Sequence, residues 1–392
     1  MPEMTHRRVK ITGIGPITPA GIGRDAFLRG IFEPVSWVGA MQVGDGSVPL
    51  LVGAAEVKAF RVGAFALDAA HLRSPRHIQF ALAATVLALR DAGISLADAR
   101  QRKPLVALAF PMAERDAFSE PVAGSFSAEK KPNMAQSAVA GFVGAEVGSS
   151  GERTFITSLD AVGYAAGAVA RGEADLAICG GADAPLNATI LGELNRLGLS
   201  PGHAQEPDRV CRPFDLWRAT GVAGEGSCMF VLEAEESPHR AHARVVGSAC
   251  SLEQGGRPWE ALGDTLRLAL GNARVRPTDI DCIHAEGTGN KALDQAEASA
   301  LRAGFGDRLA SIPVVAIKGA VGNALGASGA IQIGCAALSM RHSLIAPTVN
   351  WRHPDPSCPL NLSVSSRLLA TSTALVVGRD LGGSVSCLIL KQ

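Results

Sequence analysis

A glycine-rich turn, a serine with a nearby lysine, and a set of cysteines are the residues whose types and spacing could do chemistry. Gly13-x-Gly15 could open a dinucleotide-binding turn, but the third glycine is missing because position 18 is Thr18, so that fingerprint fails. Ser127-x-x-Lys130 has the spacing of a serine nucleophile with its lysine base. It lies in a polar loop without the companion Ser-Asp-Asn or Lys-Thr-Gly motifs, and chance explains it better. The eight cysteines (Cys179, Cys211, Cys228, Cys250, Cys282, Cys335, Cys358 and Cys387) are scattered, with no C-x-x-C pair and no histidine at zinc-finger spacing. They read as reduced, buried thiols acting as small hydrophobes. No P-loop, H-E-x-x-H or EF-hand pattern occurs, so the sequence asks for no cofactor and no metal.

The elements that must position any site are those of a sizeable globular chain. Of 392 residues, 47% are hydrophobic and 19% charged, which is too apolar for disorder. Lys plus Arg and Asp plus Glu are both 37, so the balance gives no footprint for nucleic acid or an anionic membrane. No apolar run reaches the roughly 18 residues of a spanning helix, and Met1–Arg8 does not lead into a signal-peptide core. The expectation is a soluble, cytoplasmic protein.

Strand-like and helix-like segments alternate. Val9–Ile14, Ala174–Cys179, Ser227–Leu232 and Ala243–Cys250 are β-branched or apolar runs of strand length. Ile78–Asp91 has helical periodicity and stops at Gly93, a C-cap residue. Ser158–Arg171 and Gly326–Met340 are Gly/Ala-rich helices, small enough in side chain to lie between layers. Such alternation predicts an α/β layered fold. The polar stretch Glu235–His242 divides the chain into halves, 1–240 and 241–392. Each opens with a strand and later carries a small-residue helix, which suggests a duplicated fold.

Val9-Lys10-Ile11-Thr12-Gly13-Ile14-Gly15-Pro16 resembles the opening strand of β-ketoacyl-acyl-carrier-protein synthases. The resemblance continues through Leu159-Asp160-Ala161, Gly180-Gly181-Ala182-Asp183, Arg212-Pro213-Phe214-Asp215, Gly224-Glu225-Gly226, Gly287-Thr288, Lys318, Gly322 and Pro347-Thr348-Val349-Asn350, in order over nearly the whole chain. It implies a thiolase-like five-layer αβαβα fold of two pseudo-repeated halves, normally dimeric.

In that family a cysteine at the head of a buried helix takes the acyl chain, and two histidines support the enolate formed on decarboxylation. The resemblance places Phe155 at the cysteine position, Glu286 at the first histidine and Asn323 at the second. The family's gating loop is replaced by Gly378-Arg379-Asp380-Leu381-Gly382-Gly383, and Thr220-Gly221-Val222 stands where it has Asp-Gly-Phe. Phe has no nucleophilic atom, and losing one preorganised donor commonly costs on the order of a hundredfold in rate. The chain is therefore expected not to condense by itself, and to have no catalytic residue of the family's kind.

The pattern resembles the chain-length factor, the non-condensing subunit of type II polyketide synthases. This implies a heterodimer with an active ketosynthase, service by an acyl carrier protein with a phosphopantetheine-linked chain, and a role in shaping the tunnel for a polyketide or polyene. Arg153–Ile156 would then pair across the dimer axis. Lys131–Gln136 would reach the neighbour's pocket, making Met134, Gln136 and Phe155 the tunnel or interface candidates. Thr288, and Lys318 ion-paired with Glu297, would be retained scaffold. Each candidate also has a plainer reading: Phe155 as space-filling core, Glu286 as a satisfied carboxylate, His284 as structural. The competing function is a repurposed homodimeric enzyme, hydrolysing or transferring acyl groups with Glu286, His284 or Thr157. A malonyl decarboxylase is disfavoured because both histidines are gone.

Overall fold

The computed structural model describes residues 7–43, 50–69, 71–109, 111–112, 134–145, 155–202 and 205–392. Ser127, Lys130, Lys131–Asn133, Arg153 and Thr154 lie outside these. The principal strands are β1 (Val9–Thr18), β2 (Leu105–Leu108), β3 (Leu176–Asp183), β4 (Gly226–Ala234), β5 (Ala243–Leu252), β6 (Cys282–His284), β7 (Val314–Val315), β8 (Thr373–Arg379) and β9 (Ser384–Lys391). The principal helices are α1 (Arg76–Ala92), α2 (Met134–Val143), α3 (Ser158–Arg171), α4 (Leu262–Ala273), α5 (Lys291–Phe305) and α6 (Ser328–His342).

The strand order is β7-β6-β8-β9-β5-β1-β4-β3-β2. Read outward from the middle, the two sides repeat. β1 is antiparallel to β4, β4 to β3, and β3 parallel to β2. On the other side β5 is antiparallel to β9, β9 to β8, and β8 parallel to β6. The sides are fused where β1 meets β5, from Val9 opposite Val245 to Ile11 opposite Ala243. Lys10 holds the connecting segment beside this seam, donating to the carbonyls of Glu235 (3.1 Å), Ser237 (2.7 Å) and His239 (2.8 Å).

Strand side chains alternate between faces, so each sheet face needs its own cover. α1 and α2 cover one side through a core including Val106, Leu108, Ile178 and Val231. α4 and α5 cover the opposite side over Ile283, Leu375, Val377 and Ile389. α3 and α6 fill the space between, with Leu105, Ala107, Cys282 and Val376. These are the five layers of the thiolase-like fold. α6 is buried from Ser328 to Met340, which explains its small residues. Gly13 and Gly15 serve packing: a Cβ at either would run into the backbone of α1, at the carbonyls of Ala88 and Ala84. Among the described residues no single helix is long and apolar enough to cross a membrane.

Candidate functional site

The head of α3 opens on a cavity of about 460 Å³. Its walls come from Ile156–Leu159, from Glu286 just past β6, from Asn323 and the turn leading into α6, and from Gly378–Gly382, the end of β8 and the turn beyond it. The structure thus brings Glu286 and Asn323 together at the N-terminus of a buried helix.

Phe155 is not on the cavity wall. It is buried in the central core, its ring centroid 5.1 Å from that of Tyr164, and its backbone bridges Ala109 in parallel. Thr157 is the N-cap of α3: its hydroxyl accepts from the Asp160 N–H at 3.1 Å, and it shares a 2.9 Å hydrogen bond with the Ser386 hydroxyl. Ser158 accepts from Ala330 N–H at 2.8 Å, which ties α3 to α6. Both hydroxyls are engaged in holding the helix.

Glu286 is buried and ion-paired with the buried ammonium of Lys318. This corrects the pairing of Lys318 with Glu297 expected from the sequence. Glu297 is otherwise occupied, accepting the N–H of Glu286 at 2.7 Å and of Gly287 at 3.0 Å. Burial pushes the Glu297 carboxyl up to about 8, against those hydrogen bonds. Asp294, one turn earlier on the same face of α5, accepts from the N–H and hydroxyl of Thr288 at 2.8 and 2.9 Å and from Phe214 N–H at 2.9 Å. Burial raises its pKa as well, opposed by those bonds and by the Arg218 charge. The turn carrying Glu286 is therefore fixed from below by two carboxylates of one helix.

Asn323 accepts from Ser328 Oγ at 2.7 Å and from Leu325 N–H at 3.1 Å. It offers no charge. His284 faces the α6 layer, as does Glu286, but does not line the cavity. It is fully buried, neither ring nitrogen has a hydrogen-bond partner, and burial pushes its pKa down to about 3. Burial also pushes up the thiols of Cys179, Cys211, Cys228, Cys282, Cys335, Cys358 and Cys387, so none of these is an activated thiolate.

Met134 begins α2 in the outer helix layer and is half-buried. Gln136 is buried within the chain, where its carbonyl oxygen accepts from Leu108 N–H at 3.1 Å. Neither lines the cavity. The sequence reading missed the Arg379–Glu253 pair behind the Gly378–Gly382 wall, and Ser386 as partner of Thr157. No local signal announces either contact, because each spans more than a hundred residues of chain.

Chemically, the site offers a carboxylate neutralised by an ammonium, an amide and a capped helix end. It lacks a cavity-facing thiolate and imidazole among the described residues.

Models of the β-ketoacyl synthase family match this chain, the N-terminal domain over residues 6–237 and the C-terminal domain over 242–352. A protein assigned as granaticin polyketide β-ketoacyl synthase 1 in Streptomyces violaceoruber is 30% identical, with 98% of each chain covered. One assigned as polyketide β-ketoacyl synthase 2 in Streptomyces halstedii is 31% identical over 98% of this chain and 97% of its own. Among solved structures, the ishigamide ketosynthase/chain length factor superposes with a TM-score of 0.85 at 28% identity, covering 99% of both chains.

Proposed function

The chain belongs to the β-ketoacyl synthase family, and from that premise we propose that it is a non-condensing subunit of the chain-length-factor kind in a type II polyketide synthase. It pairs with an active ketosynthase and shapes the space into which a carrier-protein-bound polyketide or polyene chain grows. The halves meet at 240/241. The observation that carries this reading is the fate of the three catalytic positions: Phe155 is core, Glu286 is paired with Lys318, and Asn323 is uncharged. A neighbour described as a ketosynthase/chain length factor supports it, while the relatives named as polyketide β-ketoacyl synthases 1 and 2 support the family alone.

The homodimeric hydrolase or acyltransferase reading has less behind it. Glu286 is neutralised, His284 is away from the cavity, and the Thr157 hydroxyl caps a helix. Of the interface candidates, Met134 keeps that role in this proposal, whereas Gln136 is engaged inside the chain.

A malonyl-condensation assay with a loaded carrier protein tests the reading. The purified chain alone should give no product, and Phe155→Cys alone should give none either, because Glu286 and Asn323 leave the enolate unsupported. Co-expression with a cognate ketosynthase should give a stable heterodimer and full-length product. Turnover by the chain alone, abolished by Glu286→Ala, would establish the enzyme instead.

A further inference from the structure

The wall of the cavity formed by Gly378–Gly382 is fastened at both ends to one residue. Glu253, just past β5, takes the Arg379 guanidinium on both carboxylate oxygens, Nε to Oε1 at 2.8 Å and Nη2 to Oε2 at 2.7 Å. Its backbone N–H donates to the Gly383 carbonyl at 2.9 Å, on the far side of the same turn. The Trp259 N–H donates to Glu253 Oε1 at 2.5 Å, and Arg379 Nη1 donates to the Asp380 carbonyl at 3.1 Å. Within the turn, Asp380 N–H donates to Ser384 O at 3.0 Å and Ser384 N–H to Asp380 Oδ1 at 2.5 Å. The ion pair is largely out of water, with side-chain exposures of 16% for Arg379 and 4% for Glu253. A two-point, shielded guanidinium–carboxylate pair is among the stronger and more directional polar contacts in a protein.

We propose that Arg379 and Glu253 form a latch that holds the Asp380–Gly383 turn as a fixed wall of the cavity, so that this wall opens only when the ion pair breaks. Leu381 lines the cavity and is partly exposed, so the turn stands between the cavity and solvent. The glutamate hydrogen bonds also raise the Arg379 pKa, which keeps the guanidinium charged. The latch does not depend on whether the chain condenses, and its test is separate from the condensation assay.

Hydrogen–deuterium exchange on the full chain reads the latch at the amides of Asp380, Gly383 and Ser384, with a β1 peptide as reference. Glu253→Gln should speed exchange in the turn by about tenfold or more while leaving β1 unchanged, as local opening requires. Arg379→Lys, which keeps the charge and loses the fork, should speed it less. The exchanged pair, Glu253→Arg with Arg379→Glu, should bring the turn back toward the wild-type rate. Unchanged exchange in Glu253→Gln, an equal rise in β1, or an exchanged pair as fast as the single variant would each overturn the latch.

Discussion

The ammonium of Lys318 and the carboxylate of Glu286 are both buried, so each is tolerated because of the other. Removing one partner of such a pair leaves an uncompensated charge and typically costs about 3–5 kcal/mol. Glu286→Gln should lower unfolding stability by about that much in a denaturant titration, and adding Lys318→Met should restore most of it. A Glu286→Gln protein as stable as wild type would remove the pairing from the account. His284 makes a pH statement. Its folded pKa is lowered to about 3 from 6.5, so above 6.5 the imidazole is neutral in both states and contributes no pH dependence. Between those values the unfolded chain binds a proton that the folded chain refuses, and stability falls as pH is lowered. Stability measured from pH 7 to 4 should therefore decline less steeply in His284→Leu than in wild type. Parallel curves would show that His284 is not the group responsible.

At the level of elements, α3 depends on its cap. Thr157→Ala removes the acceptor for Asp160 N–H and the bond to Ser386, and should cost about 1 kcal/mol or somewhat more. Thr157→Ser should stay close to wild type by thermal melting; equal melting of the Ala variant would deny the cap its role. α3 was legible in the sequence as a Gly/Ala-rich segment from Ser158 to Arg171, and the structure adds what sets its ends, the Thr157 cap and a left-handed Gly172. Other segments were legible only in part. β1 runs on to Thr18, past the expected end at Ile14, because its ladder with β4 continues from Ile14 opposite Phe230 to Ile17 opposite Ser227. α6 begins at Ser328 and not at Gly326, since Leu325–Ala327 forms a 3-10 turn first. The substituted positions could be proposed from sequence order and family resemblance. Their partners could not: which carboxylate meets Lys318, or that Glu253 holds Arg379, depends on the packing of distant strands and helices.

For the whole molecule, the joining of β1 to β5 makes the two pseudo-repeated halves share one hydrogen-bonded ladder, with α3 and α6 packed between them. Neither half buries its inner face alone, so the chain should unfold in a single transition, with calorimetric and van't Hoff enthalpies agreeing. Two resolved transitions would mean that the halves are independent. The seam has a further consequence for how continuous the polypeptide needs to be. The connecting segment Glu235–His242 has exposed side chains at Glu236, Pro238 and Arg240, whereas the β1–β5 ladder lies outside it and a contact of the segment's own to the first half, His242 with Ile11 and Asp91, sits at its far end. A nick among these residues would leave those contacts in place. The two fragments, made as separate polypeptides, would be complementary pieces that find each other along the β1 and β5 edges, making this connection the natural place to divide the protein.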